Sequence, residues 1–165
     1  MADGRRTVTR WLSENEQASW RAWIAATLLL PDRLNRDLQE QTGLSLPDYE
    51  ILVHLSEAPD RRLRMSELAD ATLSSRSRLS HQIDRLEADG LVERERCLDD
   101  RRGAFAVLTP RGWKTLVATA PTHVESVREH LVDVLTPQEF AELGRLCRII
   151  ADRACTQESP DAGDA

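Results

Sequence analysis

The sequence predicts a mostly α-helical protein carrying one small β-hairpin. Three observations predict it. Apolar residues recur at helical spacing along most of the 165 residues. The stretches "LVERERCL" and "GAFAVLTP" alternate apolar and polar residues on either side of "DDRR". Just before that alternation lies a short helix with its own start and stop signals, "SSRSRLSHQIDRLEADG" from Ser74 to Gly90.

Taken in order, Ser13 followed by Glu14 and Glu16 signals a helix start, and Trp20, Ile24, Leu28, Leu34 and Leu38 continue at helical spacing. This first helix contains Pro31, where a bend or local break is expected, and Gly43 ends it. A second helix starts with Pro47 and Asp48 in its first turn and carries a core stripe of Tyr49, Leu52 and Val53, with Leu55 a further candidate. "DRRLRM" offers a very short extended piece, and "SELADAT" suffices for a two-turn helix. Ser74 or Ser75 then caps a helix whose apolar residues are Leu79, Ile83 and Leu86, with Asp89-Gly90 as its stop. At 100° per residue, that stripe leaves Ser74, Ser77, Arg78, His81, Asp84 and Arg85 outward. After the hairpin, Pro110 and Gly112 open a helix running past Trp113 towards Val134, with a kink expected at Pro121. Thr136 with Glu139 three residues on is a capping-box spacing and begins the last helix. "TQESPDAGDA" reads as a frayed acidic tail.

Composition narrows the function. Hydrophobic residues at 41% with 30% charged describe an ordinary globular chain of one domain's size. A net charge of -6 argues against nonspecific coating of nucleic acid, which depends on many phosphate contacts. Local charge differs: Arg61 to Arg102 holds ten arginines and nine acids, a net of +1, so the remainder carries -7. Lys114 is the one lysine, so the cations are almost all guanidinium forks, suited to phosphate and guanine; genomic base composition explains the bias equally well. The longest apolar run, Ile24 to Leu30, is far short of a bilayer span, and no signal-peptide pattern is visible, so a cytoplasmic location is expected. Cys97, Cys147 and Cys155 form no CxxC pair and suggest no disulfide framework.

Short helix, turn, capped helix and arginine-tipped hairpin together make a winged helix-turn-helix, whose second helix enters the major groove. Ser74, Ser75 and Ser77 are then placed to donate to phosphates, with Arg76 adding charge at the helix start. Arg78 and His81 are placed to reach base edges, and Arg85, further along, to meet phosphate. An exposed helix face is usually only solvated, and serines beside a cap are usually only caps. Arg101 and Arg102 at a tight polar tip shift that balance, because a narrow minor groove attracts guanidinium groups. Asp100 is expected to pair with Arg102 and leave Arg101 to probe the groove; an ordinary surface ion pair is the alternative.

At "LRMSELA", "SRSRLSHQIDRLEADGLVER" and "DDRRGAFAVLTPRG" the chain resembles the multiple antibiotic resistance regulator (MarR) family of bacterial transcription factors. The resemblance runs from about Trp11 to Arg153, with the wing's Asp-x-Arg element at Asp100 and Arg102. It implies an obligate homodimer with two DNA-binding lobes, and repression relieved by a small phenolic or other anionic aromatic ligand. The expected organisation is an N-terminal dimerisation helix at 11–44 and a winged helix-turn-helix lobe at 45–109, with recognition helix 75–89 and wing 92–109. C-terminal dimerisation helices at 110–154 and a tail at 155–165 complete it. Apolar surface on the first and last helices, beyond what a small winged-helix core covers, independently favours a dimer and hence a palindromic operator.

Relatives often hold ligands where dimerisation helices meet the DNA-binding lobe, and Trp20, Trp23, His54 and Trp113 are the candidates here; for each, core packing or a satisfied histidine is the plainer explanation. Three rival readings are weaker. A peroxide-sensing cysteine near the start of the chain is missing, since none precedes Cys97. His123 and His130, seven apart on one helix face, are too distant to share a metal ion unaided, and no cofactor is expected. No nucleophile–base pair or phosphate loop suggests an enzyme. A winged-helix module that binds another protein is the remaining alternative, opposed by the placement of Arg78/His81 beside Arg101/Arg102.

Overall fold

The computed structural model of the chain describes residues 9–97 and 103–155, the Cys155 side chain excepted. Helix α1 spans Glu14–Thr42, and Ser13 caps it in a capping box: the Ser13 hydroxyl accepts from the Glu16 amide while the Glu16 carboxylate accepts from the Ser13 amide at 2.7 Å. The helix runs unbroken through Pro31, so the local break expected there is absent. The ring removes one backbone hydrogen bond there without ending the helix. Gly43 stops α1 in the left-handed region at φ 77°.

Helix α2, Leu46–Glu57, is capped by Ser45. Tyr49, Leu52 and Leu55 are buried, and Ile51 is fully buried while Val53 is only half so, which corrects the expected stripe. The reason is that α2 is enclosed by α1, α3, α5 and the sheet, so more than one stripe of it is covered. Strand β1, Arg62–Arg64, follows a 3-10 turn, and α3 spans Met65–Ala71. Helix α4 spans Arg76–Ala88; strands β2, Val92–Arg96, and β3, Ala104–Leu108, form the hairpin. The sheet has a third strand, because β1 pairs antiparallel with β3 to give the order β1-β3-β2.

Helix α5 spans Pro110–Val127 without interruption at Pro121 and continues into a π-helical turn at Arg128–Val132. Helix α6 spans Pro137–Cys155 and starts at a Thr136/Glu139 capping box. The core is a single cluster centred on Leu38, Ile51, Leu52, Leu55, Leu68, Leu79, Ile83, Leu86 and Val92. Only Leu34 and Leu38 of α1 are buried, and no described residue of α6 is.

Candidate nucleic-acid interface

Helix α4 owes its position to two features of its sequence. The Leu79, Gln82, Ile83, Leu86 face is buried against the core. Ser75, rather than Ser74, is the cap, its hydroxyl accepting from the Arg78 amide at 3.3 Å. The first turn holds no acidic residue, so the positive end of the helix dipole faces outward uncompensated. Ser75, Arg76, Ser77, Arg78, His81 and Arg85 are all exposed, and Ser74 is half-buried. The serine and arginine side chains placed on one face from sequence therefore do share one solvent-facing surface.

Two ion-pair systems fix this helix. Arg85 reaches across to Asp48 at the start of α2, donating at 3.0 and 3.3 Å to its two oxygens. Asp48 is nearly buried and also accepts from the Ser45 hydroxyl at 2.7 Å, so the guanidinium joins a network already set by the α2 cap. The expected phosphate contact of Arg85 thus competes with an intramolecular partner, although the side chain stays 59% exposed. At the other end, Arg94 of β2 donates to Asp84 at 2.5 Å, to Glu87 at 2.9 Å and to the Ser80 carbonyl at 3.0 Å. Its amide also donates to Glu87 at 3.0 Å. Strand β2 is thereby bolted to the outer side of α4.

The wing is anchored at its base as well. Thr109 donates from its hydroxyl to the Gly90 carbonyl at 2.8 Å and accepts from the Gly112 amide at 2.9 Å, tying the end of α4, the end of β3 and the start of α5 together. A Cβ on Gly112 would stand 2.0 Å from the Leu91 carbonyl oxygen, so this approach requires glycine. Arg62 and Arg64 lie over the Phe105 ring at 4.0 and 5.4 Å, keeping guanidinium groups along the sheet's edge strand. Asp100, Arg101 and Arg102, singled out for the wing tip, lie outside the described residues.

Sequence reasoning missed Arg94, Asp48 and Leu73. Arg94 is masked by the alternating charge of "VERER", and Asp48 by its role as a first-turn acid. Leu73 is singled out only by its backbone, at φ 49°.

The four ligand candidates are dispersed. Trp20 and Trp23 are exposed on α1, His54 is half-buried on α2, and Trp113 at the start of α5 is also exposed, with the Arg61 guanidinium stacked 4.2 Å from its ring. A different polar group is enclosed between α2 and α5: His123 packs on Tyr49 with ring centroids 4.7 Å apart, and its buried Nδ1 has no hydrogen-bond partner. Burial holds the His123 pKa below its ordinary value against the opposing pull of Glu50, and burial raises that of Tyr49. His130 is engaged elsewhere, its Nε2 lying 2.8 Å from Asp37. Asp37 also accepts from Ser126 at 2.8 Å and pairs with Arg33 at 3.0 Å. The Ser126 bond, with His130 and Arg33, holds the Asp37 carboxyl below the usual range against the cost of desolvation.

A capped, acid-free helix start beside a braced two-stranded wing defines a winged helix-turn-helix protein of the kind that reads duplex DNA. Comparison with known proteins agrees. Residues 42–103 match the model of the MarR family. AbsC, a MarR family transcriptional regulator from Streptomyces coelicolor, is 50% identical, with 90% of this chain and 100% of that one covered at a TM-score of 0.84. Sco3205, a MarR family transcriptional regulator from the same organism whose structure is a complex with DNA, is 47% identical, covering 94% and 97% of the two chains at a TM-score of 0.86. The transcriptional regulator HosA of Escherichia coli is 31% identical over 100 residues, 61% of this chain and 72% of its own. The chain belongs to the MarR family of transcriptional regulators. The relatives it matches are regulators rather than enzymes.

Proposed function

We propose that the protein is a sequence-specific regulator that binds a palindromic operator as a homodimer and releases it on binding a small anionic aromatic effector. The observation that carries the DNA-reading part is the exposed Ser75, Ser77, Arg78 and His81 face at an acid-free helix start. Ser75 and Ser77 meet phosphates, Arg78 and His81 address base edges, and the Arg101/Arg102 wing tip enters the neighbouring minor groove. Occupancy of a promoter by such a protein excludes polymerase, so repression is the expected outcome.

Dimerisation is supported by apolar surface the protomer leaves open. Leu28 and Leu29 of α1, Val124 of α5 and Leu146, Ile149 and Ile150 of α6 are all exposed. An apolar groove of about 620 Å³, lined by Leu131, Val134, Leu143 and Leu146, lies where α6 leaves the body. Residues 11–44 and 110–154 form the dimerisation region in this reading, and 45–109 the DNA-binding lobe. Effector binding is assigned to the junction of the two, where the half-buried His123 packs on Tyr49 and offers an unpartnered nitrogen; Trp20, Trp23, His54 and Trp113 stand apart from that pair as candidates from sequence. A ligand acts there by binding one lobe spacing more tightly than the other.

The test is fluorescence anisotropy on duplexes enriched from a random library by the wild-type protein. Arg78→Ala is expected to cost about 1–3 kcal/mol and relax base preference at one position per half-site. Equal loss on enriched and scrambled duplexes would refute base readout by Arg78.

A further inference from the structure

Leu73 stands in the turn between α3 and α4 at φ 49°, in the left-handed region that side chains other than Asn and Asp seldom adopt. Its side chain is 92% exposed, the most open of the large apolar residues among those described. Two other non-glycine residues share this backbone region, Asp60 at φ 52° and Arg61 at φ 54°. Aspartate tolerates it through local hydrogen bonds, and Arg61 stacks on Trp113. Leu73 has its own local cause: it closes α3 in a left-handed C-terminal cap, its amide donating to the Asp70 carbonyl at 3.2 Å and the Ser74 amide to the Ala69 carbonyl at 2.9 Å, a position usually held by glycine or asparagine. Glycine would remove the strain and an asparagine would lessen it, and either would spare the exposed apolar surface. The cap accounts for the backbone conformation but not for an exposed leucine in it, and that choice of side chain beside a binding surface points to a contact made with something outside the chain.

The neighbours say what that is. Leu73 directly precedes Ser74 and the Ser75 cap, and with Pro47, Glu50, Thr72, Ser74, Arg78 and Gln82 it lines a small cleft of about 130 Å³. Leu73 and Pro47 give this largely polar cleft an apolar wall beside Arg78, at the end of α4 assigned above to base edges. On the major-groove side the thymine C5-methyl is the apolar group. We propose that Leu73 is a specificity-determining residue that packs on a thymine methyl in each half-site. The inference rests on the DNA-reading function proposed above.

Replacing thymines one at a time by deoxyuridine, in duplexes enriched from a random library by the wild-type protein, removes the methyl alone. Wild-type protein is expected to lose about fourfold in affinity at one thymine per half-site, the worth of one buried methyl-sized group. Leu73→Gly and Leu73→Asn should bind the thymine duplex weaker by a similar factor and ignore the uracil exchange there, while Leu73→Met keeps the sensitivity. Leu73→Gly should melt no lower than wild type, which separates lost contact from lost fold. If both Leu73→Gly and Leu73→Asn retain wild-type affinity and methyl sensitivity, or no uracil exchange affects the wild type, the inference is overturned while DNA reading stands. Failure to enrich any duplex overturns both.

Discussion

Gly112 and His123 show how single positions carry constraints that their surroundings create. At Gly112 the added methyl of Gly112→Ala would meet backbone, the Leu91 carbonyl oxygen, as well as the Leu108 side chain 2.7 Å away. Backbone cannot swing aside as a side chain can, so α5 must shift from the wing. We expect a loss of about 2–3 kcal/mol, read as a lower urea midpoint at unchanged slope. His123 is held neutral by burial, with its pKa below the unfolded value. Its contribution is complete above the ordinary histidine pKa. As pH falls through that value the unfolded chain takes up a proton that the folded one refuses, and stability declines until the lowered folded pKa is passed. The chain is therefore expected to lose urea resistance between about pH 7 and pH 5, with a shallower slope in His123→Phe. An identical slope in the variant would assign the effect to the other histidines.

At the scale of elements, the relation between α4 and its wing rests on Arg94. Its side chain is 27% exposed and donates to Asp84, Glu87 and both oxygens of Ser80 on α4, standing between two carboxylates that would otherwise face one another as like charges. Arg94→Ala leaves Asp84 and Glu87 close together and should destabilise the lobe by about 1–3 kcal/mol. Arg94→Lys retains the charge but not the fork, so it should restore stability more fully than operator affinity. Thermal melts and anisotropy titrations on the same three proteins check that split. Parallel recovery of both quantities would mean that Arg94 acts through stability alone. The Arg85–Asp48 bond plays the corresponding part on the opposite flank, linking α4 to the cap of α2. Asn35 of α1 in turn accepts from the Leu46 amide at 2.9 Å, so a polar chain runs from α1 through α2 to the recognition helix. That chain is the route by which a movement of α1 would reach the face of α4 proposed to meet DNA.

For the whole molecule the governing fact is that no described residue of α6 or of the first half of α1 is fully buried within the protomer. A helix with Leu146, Ile149 and Ile150 open to water gains little from folding alone, since an amphipathic helix draws its stability from what covers it. Ile149→Glu places a charge in that stripe. In the proposed homodimer it should shift the sedimentation coefficient from a dimer's to a monomer's and abolish operator binding at nanomolar protein. A wild-type monomer at micromolar concentration would refute the dimer. The two-fold axis of such a dimer sets half-sites about 10 bp apart, centre to centre.

The helix starts and stops, the wing strands and the outward face of α4 were legible because each depends on short-range chemistry. Capping needs one hydroxyl three residues from an amide, as at Ser13, Ser75 and Thr136, and amphipathic spacing needs only a period. The family resemblance rested on the same local motifs. Pro31 predicts a bend or local break and Pro121 a kink, because proline's local cost is visible in sequence; both helices run through their prolines as helix, so there is no break at Pro31. The third strand, the burial of Ile51, the partners of Arg85 and Arg94 and the enclosure of His123 were decided by tertiary structure. Each joins residues distant in the chain, as Asp48 and Arg85 are. One-dimensional spacing states which face a side chain occupies, but only the packed fold states what stands opposite it.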